Sequence, residues 1–259
     1  MSRGDSLPTI CEVGSTEWTD PPPFRIELLG GFRFTAASAP IELQKPAKRL
    51  LATLAIHQKP LQRSFVAGLL WPDVPDERAF GNLRSTIFRL GEVRAVVEGR
   101  TLLSLHRDAQ VDVAAVTLAA RQVIAAQTSM PPTDALSALD TLDTLAASGE
   151  LLPDWYDDWL VVERERFNQV RLLALDCLVR HLLPSGRVAE ATVAALAATA
   201  IDPCRESTQQ LLIECHIAQG NRDAALRQFR SYASVLKRLG LEPSSTISAI
   251  VAALTAVGR

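Results

Sequence analysis

The stretch Glu77-Arg78-Ala79-Phe80-Gly81-Asn82-Leu83-Arg84-Ser85-Thr86-Ile87-Phe88-Arg89-Leu90 decides how the rest of the sequence is interpreted. On a helical wheel its apolar residues form one stripe, as expected of a helix that packs on a core. That stripe consists of Ala79, Phe80, Leu83, Ile87 and Leu90. The opposite stripe is polar and contains no acidic residue. It consists of Arg78, Asn82, Ser85 and Arg89, with Thr86 at its edge and Arg84 on its flank.

The polar stripe consists of the types of side chain that contact base edges and phosphates in protein–DNA complexes. Arginine can bond guanine with two hydrogen bonds and asparagine can do the same with adenine, while serine and threonine bond phosphates or bases. The alternative is a solvated helix face with no partner. Such faces usually mix Glu and Lys in i,i+4 pairs, which this stripe lacks. The pattern therefore favours a DNA-recognition helix with Arg78, Asn82, Arg84, Ser85, Thr86 and Arg89 as its contact residues.

The segments on either side of this helix predict a winged helix-turn-helix. Apolar residues at helical spacing indicate a helix over 45–57, and Ser64 is the expected N-cap of a short second helix that ends at Pro72. Asp76 is the expected cap of the recognition helix. After it, two short apolar segments, 93–97 and 101–105, flank Glu98-Gly99-Arg100 and predict a β-hairpin.

Two further basic residues are candidate DNA contacts. Arg100 at the hairpin tip is placed to enter a minor groove or to contact a phosphate. Lys48 in the first helix is placed to contact a backbone phosphate, or is a surface lysine that keeps its charge in water.

Before the helices, period-two alternation at 24–29 and 32–35 and a short apolar segment at 41–43 predict a small antiparallel sheet. Residues 1–23 are polar, proline-rich and acidic, which is typical of a disordered tail. The predicted DNA-binding domain therefore spans residues 24–111. The predicted fold class is α+β in this half, followed by an all-α tetratricopeptide-like domain over residues 112–259.

The second half has no strand signal and is rich in Ala and Leu. Gly186 and Gly220 lie 34 residues apart, and each precedes a helix with Ala at the equivalent place, Ala191 and Ala225. Paired helices with a period of 34 residues are the tetratricopeptide repeat. An ordinary helical bundle with a coincidental spacing is the alternative.

Composition limits the classes of function. The chain has 259 residues, of which 47% are hydrophobic and 22% charged, as in a globular protein. Its net charge is −2, yet residues 24–112 carry 13 basic against 9 acidic residues, a weak indication of a polyanionic partner. The sequence has no segment long and apolar enough to predict a membrane span, and no secretory signal. Its four scattered cysteines indicate a reducing cytoplasm, where a DNA-binding protein would associate with the nucleoid.

No catalytic or cofactor motif is present in the sequence. It lacks a Ser/His/Asp arrangement, a nucleotide-binding glycine loop and cysteines at metal spacing, so we predict neither an enzyme, nor a cofactor, nor a metal site. Trp155, Tyr156 and Trp159 alternate with Asp154, Asp157 and Asp158. A ligand pocket is one interpretation of this pattern, and an aromatic helical core with a solvated acidic end is the simpler one.

The sequence resembles the Streptomyces antibiotic regulatory protein family. The first half looks like that family's OmpR-type winged helix. The likeness rests on its leading four-strand sheet, the Leu70-Trp71-Pro72-Asp73 stretch, the helix quoted above and the hairpin. The second half looks like its bacterial transcriptional activation domain. That likeness rests on Trp159, Glu163-Arg164, Asp202-Pro203-Cys204-Arg205-Glu206, Gly220, Ala224-Ala225-Leu226, Phe229 and Leu239-Gly240-Leu241-Glu242-Pro243.

The resemblance implies a transcriptional activator of secondary-metabolite genes such as those for antibiotic biosynthesis. It implies binding to direct repeats in double-stranded DNA near a promoter, as a homodimer on DNA, and recruitment of RNA polymerase with its sigma subunit. Arg89-Leu90 matches the family's Arg-Leu pair, and the loop with Trp71, Asp73 and Val74 matches one that can face polymerase. Gly91-Glu92 departs from the family, which often has a further basic residue there. The alternative function is a helical-repeat interaction scaffold with weak or no specific DNA binding.

Overall fold

The computed structural model describes residues 24–126, 135–146 and 149–256, so the tail predicted over 1–23 lies outside the described residues. Four strands form the first sheet: β1 (Phe24–Glu27), β2 (Arg33–Ala36), β3 (Ala39–Pro40) and β7 (Ala109–Val111). Their order is β3-β2-β1-β7, with β7 parallel to β1 and the other pairs antiparallel.

Two details of this sheet differ from the sequence prediction. The third strand is Ala39–Pro40 rather than 41–43, because Ala37 and Ser38 adopt left-handed φ angles of 46° and 65° and turn the chain earlier. Only three strands of the expected four-strand sheet precede the helices: the fourth, β7, follows the hairpin, and its residues were not predicted as a strand. It pairs Phe24 with Ala109, an association of residues far apart in sequence that local pattern does not reveal.

The winged helix-turn-helix follows the first three strands. Its elements are α1 (Lys45–His57), β4 (Leu61–Gln62), α2 (Arg63–Leu70), α3 (Asp76–Phe88), a 3-10 helix (Gly91–Val96), β5 (Val97–Glu98) and β6 (Leu102–Leu105). Strands β4, β6 and β5 make a three-stranded sheet in that order. The order of α1, α2, α3 and hairpin confirms the predicted fold class for this half.

Three predicted boundaries in this half were wrong. Helix α2 begins after Gln62, so Ser64 lies within its first turn and is not the N-cap. Helix α3 already includes Asp76 and has Pro75 at its N-cap. Most of the segment predicted as the first hairpin strand is the 3-10 helix, which Gly91 begins with a φ of 56°.

One buried cluster holds the three helices to the hairpin. It consists of Leu50, Leu54, Leu61, Val66, Ala67, Leu70, Ala79, Leu83, Ile87 and Leu103. Each fully buried leucine contributes roughly 1.5–3 kcal/mol to the free energy of folding. Leu83 at 0% exposure and Ile87 at 7% fix which side of α3 faces inward. The rotation of α3 about its axis is therefore set by the core.

Helices make up the second half. They are α4 (Asp112–Ala126), α5 (Ala135–Ala146), α6 (Asp158–Leu182), α7 (Val188–Ile201), α8 (Glu206–Ala218), α9 (Arg222–Arg238) and α10 (Ser245–Ala256). In the described part of this half, the only departure from helix and loop is a bridge between Leu29 and Leu151.

The 34-residue period is real in three dimensions. The Arg187 N–H donates to the Leu182 carbonyl at 3.1 Å, and 34 residues later the Asn221 N–H donates to the His216 carbonyl at 2.9 Å. Gly186 and Gly220 close both helix ends with φ angles of 76° and 71°, a conformation that favours glycine. Ala191 and Ala225 are fully buried in the helices that follow. The tetratricopeptide-like prediction is thereby confirmed.

A single hydrophobic core crosses from the sheet into the helices. Leu28 of the N-terminal half and Leu151, Leu152 and Leu160 of the helical half belong to the same buried cluster, and all are 0% exposed. Backbone bonds reinforce this junction: the Leu152 N–H donates to the Leu28 carbonyl at 2.9 Å and the Gly30 N–H donates to the Glu150 carbonyl at 2.8 Å. The proposed division after residue 111 thus separates two segments of sequence that share one core.

Candidate nucleic-acid interface

The outer face of α3 consists of the residues that are not buried in the hydrophobic core. Because Ala79, Leu83 and Ile87 point inward, the opposite side of the helix faces solvent. Arg78, Ser85 and Arg89 lie exposed there, as do Arg84 and Phe88, whereas Asn82 and Gly81 are partly covered. Five of the six predicted recognition-helix residues therefore reach the surface of α3.

Among the residues that the structure describes, the arginines of α3 have no protein partner. Within residues 24–126, the guanidinium groups of Arg78, Arg84 and Arg89 make neither an ion pair nor a hydrogen bond in the structure. Exposed cations that neutralise no acid of their own are available to phosphates or base edges without breaking an existing contact. The acidic residues of α3, Asp76 and Glu77, are confined to its first turn, where the helix dipole favours negative charge.

Thr86 was placed wrongly by the sequence pattern. Its side chain is buried at 6% exposure, on the inward side of α3 next to Ile87, so it does not belong to the open face. The wheel had put it at the edge of the polar stripe. In the structure that edge of α3 faces α1: Pro46 and Ala47 of α1 line a cleft of 440 Å³ together with Thr86 and Arg89.

Lys48 is likewise less available than expected. Its ammonium group pairs with Glu42 and lies 5.9 Å from the centre of the Phe32 ring. The side chain is 27% exposed. A phosphate contact by Lys48 would have to compete with Glu42, which the sequence pattern did not anticipate because the pair spans the turn before α1.

The hairpin brings Arg100 to its tip, as the sequence predicted. Gly99 has a φ of 95°, and a side chain there would collide with the Leu102 carbonyl oxygen, so only glycine fits this turn. The Arg100 side chain is exposed, and its backbone carbonyl accepts a bond from Arg63 at 3.4 Å.

A cleft of 310 Å³ lies between α3 and the hairpin. Its lining contains three arginines, four apolar side chains and one glycine: Arg63, Arg84, Arg94, Ile87, Phe88, Val97, Leu103 and Gly99. No acidic residue lines it. The sequence analysis missed Arg63 and Arg94, which belong to elements outside the recognition helix. It also missed Phe88, which it assigned to neither the apolar stripe nor the polar stripe. The wheel itself could have revealed Phe88, since it lies opposite the core stripe.

The loop between α2 and α3 lies against the helical half. Trp71 and Val74 are half-buried on the winged-helix core, while Asp73 is exposed. Together with Tyr156 and Trp159 they border a cleft of 560 Å³. The aromatic residues before α6 are not one helical core: Trp155 stacks on Phe32 with ring centres 5.9 Å apart, but Tyr156 is 90% exposed.

The structure shows no metal site among the residues it describes, and it buries two of the described cysteines. No group of three or more His, Cys, Asp or Glu side chains is arranged to hold a metal ion in the described ranges. Burial raises the pKa of the Cys215 thiol to about 11, and burial likewise raises the pKa of Cys177. A raised pKa keeps these two thiols protonated at neutral pH, whereas Cys204 is exposed. None of the described helices is both long and apolar enough to span a membrane.

Comparisons with known proteins agree with this architecture. The family model described as the bacterial transcriptional activator domain matches residues 111–255, more than half of the chain. Among solved structures, the chain is similar to Mycobacterium tuberculosis EmbR in complex with a low-affinity phosphopeptide, with a TM-score of 0.68 and 20% identity. That similarity covers 90% of this chain but 65% of the EmbR chain, and it shows a shared fold. A search of curated proteins finds no match. The predicted resemblance is therefore confirmed: the chain belongs to the bacterial transcriptional activator domain family of transcriptional regulators, the type found in the Streptomyces antibiotic regulatory proteins.

Proposed function

We propose that this protein is a sequence-specific DNA-binding activator that inserts α3 into the major groove and recruits RNA polymerase. The observation that carries the proposal is the outer face of α3. It presents Arg78, Arg84 and Arg89 without acidic partners, next to a hairpin whose tip carries Arg100. A transcriptional regulator needs a surface that binds promoter DNA, and within the described chain this face is the one best suited to bind DNA.

The geometry supports a lateral approach of α3 to DNA. The major groove, about 12 Å wide, admits a helix, and the wing then lies over the neighbouring backbone or minor groove. Asp76 and Glu77 would repel phosphates at the start of α3, so the helix should enter along its outer side and not by its N-terminus. Arg78 and Arg89 then lie on one side of the helix and Arg84 on the other, toward the wing.

Recruitment of polymerase is assigned to the loop before α3. Asp73 and Pro72 are exposed on that loop, while Trp71 and Val74 anchor it to the core. A loop held at both ends offers a polymerase subunit, including sigma, a surface of fixed shape. Pro72 and Asp73 are not part of the outer face of α3, so we expect them to stay accessible to polymerase in the proposed complex.

Binding to direct repeats requires two copies in the same orientation. Copies arranged head to tail use two different surfaces of each protein, so we propose a homodimer that forms on DNA. By family resemblance, the regulated promoters are those of secondary-metabolite genes. The site of action would be the cytoplasmic nucleoid.

The proposal is tested by selecting genomic fragments with the purified chain at about 0.15 M salt and footprinting the best fragment. Protection of two evenly spaced repeats beside a promoter is the expected result. Transcription in vitro from that promoter should rise with added protein. Asp73→Arg should reduce activation while leaving the footprint unchanged, which separates polymerase contact from DNA contact.

Weak binding that ignores sequence and disappears with salt would contradict the proposal. It would favour the alternative scaffold, in which the helical repeats bind proteins and the winged helix has lost its specificity.

A further inference from the structure

The most exposed large apolar side chain on α3 is Phe88, at 77% exposure. It follows Gly81 and Ser85 at spacings of i+7 and i+3, which places all three on one line along the helix. That line is opposite Ala79 and Leu83, the residues that define the buried side. The middle of the outward face is thus the line through Gly81, Ser85 and Phe88, with the arginines on both flanks.

Phe88 is not part of the hydrophobic core. Ile87, its neighbour, fills the inward position at 7% exposure and packs with Leu83 and Leu103. A single exposed aromatic residue is ordinary on a protein surface. What distinguishes Phe88 is its setting, since it borders the cleft between α3 and the hairpin that Arg63, Arg84 and Arg94 surround.

The charges around that cleft define the partner. The guanidinium groups of Arg84 and Arg94 have no protein partner within residues 24–126, and Arg63 bonds only a backbone carbonyl, at 3.4 Å. No acidic residue lines the cleft. Three cations around an apolar ring can bind a polyanion that presents an apolar group between its charged groups. In duplex DNA the major groove presents one such group, the 5-methyl of thymine.

Resting on the proposed function, we propose that Phe88 is a specificity-determining residue that packs its ring on the 5-methyl group of a thymine. The flanking Arg84 and Arg94 hold the adjacent phosphates, so the ring is pressed against the base edge and not against water. Phe88 therefore selects thymine at one position of each repeat, at the end of the site nearest the wing.

The test uses the full chain and the duplex obtained from fragment selection. Each thymine of that duplex is replaced in turn by deoxyuridine, which removes only the methyl group, and the Kd is measured for the wild type and for Phe88→Ala. We expect one position per repeat where the replacement weakens wild-type binding about fourfold, the factor expected for burying one methyl-sized group. Phe88→Ala should bind the thymine duplex more weakly and should show no further loss at that position.

Matched variants and distinct outcomes keep this test interpretable. Phe88→Leu should keep part of the thymine preference, and Tyr156→Ala, which removes an aromatic side chain 90% exposed at the junction, should keep all of it. Equal losses for the wild type and Phe88→Ala at every position, or no loss anywhere, would overturn the role of Phe88 while leaving specific binding intact. A wild type that selects no duplex at all would overturn the proposed function as well.

Discussion

Arg49 of α1 and Asp157 of the loop before α6 form an ion pair of 2.5 Å across the junction between the two halves. The same guanidinium group donates to the Leu70 carbonyl at 2.9 Å, at the end of α2. The two side chains are 20% and 16% exposed, so neither charge is well hydrated. One arginine thereby links the helix-turn-helix to the start of α6, the 25-residue helix of the second half.

Removal of Asp157 should destabilise the whole chain. Asp157→Ala leaves the mostly buried Arg49 charge without its acid, which should lower the free energy of unfolding by roughly 2 kcal/mol. For a chain of this size the melting temperature should fall by about 4–8 °C. The measurement is thermal unfolding by circular dichroism. Loss of less than half a kcal/mol would mean that Arg49 finds water in place of Asp157.

Gly149 packs against the backbone of the first sheet's turn. A Cβ at Gly149 would lie 2.9 Å from the Gly30 amide nitrogen, and backbone atoms there cannot move aside without breaking the Gly30–Glu150 bond. We expect Gly149→Ala to lower the free energy of unfolding by about 1–3 kcal/mol. Gly68→Ala is the matched control, because a Cβ at Gly68 meets no atom within 4 Å. Equal urea midpoints for both variants would contradict this account of the junction.

Local pattern predicted most of the helices, but not β7, the 3-10 helix or the way in which the elements combine. The apolar stripe through Leu83 and Ile87 predicted α3, and the glycines at 186 and 220 predicted the repeat, because both signals are periodic within one element. The shared core of Leu28 with Leu151 was not predictable in this way. Nothing in either segment's own pattern indicates that it meets a segment more than a hundred residues away.

The candidate site shows the same limit at the level of single residues. A helical wheel lacks the neighbouring elements, and α1 covers Thr86 while Glu42 pairs with Lys48. Arg63 and Arg94 reach the cleft only because β4 pairs with β6 and the chain after α3 forms a 3-10 helix. Packing between elements therefore determines which polar residues are exposed, and the pattern of a single helix does not contain that information.

Acid should weaken the helical half through Glu206. Partial burial raises the pKa of this carboxyl, but hydrogen bonds from Ser244 and Tyr232 outweigh burial and hold the pKa below its ordinary value of 4.5. A lowered pKa means that the folded state favours the ionised form, so this stabilisation is present above pH 4.5 and is lost as the pH falls through the lowered pKa.

Glu206→Gln should therefore be less stable than the wild type at neutral pH and should lose less stability on acidification below pH 4.5. Urea unfolding at a series of pH values measures both effects. Tyr232→Phe removes one of the two donors and should give an intermediate slope. Parallel pH profiles for the wild type and Glu206→Gln would show that other carboxylates determine the acid sensitivity.

Arg89→Ala should distinguish phosphate contact from base contact. If Arg89 binds a phosphate, its loss should weaken binding to all sequences and reduce the slope of log K against log salt by about one. If it reads a base, the loss should be roughly 1–3 kcal/mol and restricted to sequences with the preferred base. Arg166→Ala, which removes an exposed arginine paired with Glu163 on α6, should change neither quantity. Binding by Arg89→Ala that equals the wild type in affinity and salt slope would exclude this residue from the interface.

Gly81 allows stability and DNA binding to be separated at a single position. It lies within α3, and a Cβ there would meet no atom within 4 Å, so Gly81→Ala carries no steric cost in the free protein. Alanine is the better helix former by about 1 kcal/mol, so the variant should melt at a higher temperature. On the proposed interface, however, the added methyl occupies the middle of the outward face, beside Ser85 on the line of residues that meets the DNA. We expect Gly81→Ala to be more stable and yet to bind its operator more weakly, as measured by thermal unfolding and by titration of the footprinted duplex. A variant that gains stability and keeps full affinity would place DNA elsewhere than against the line of Gly81, Ser85 and Phe88.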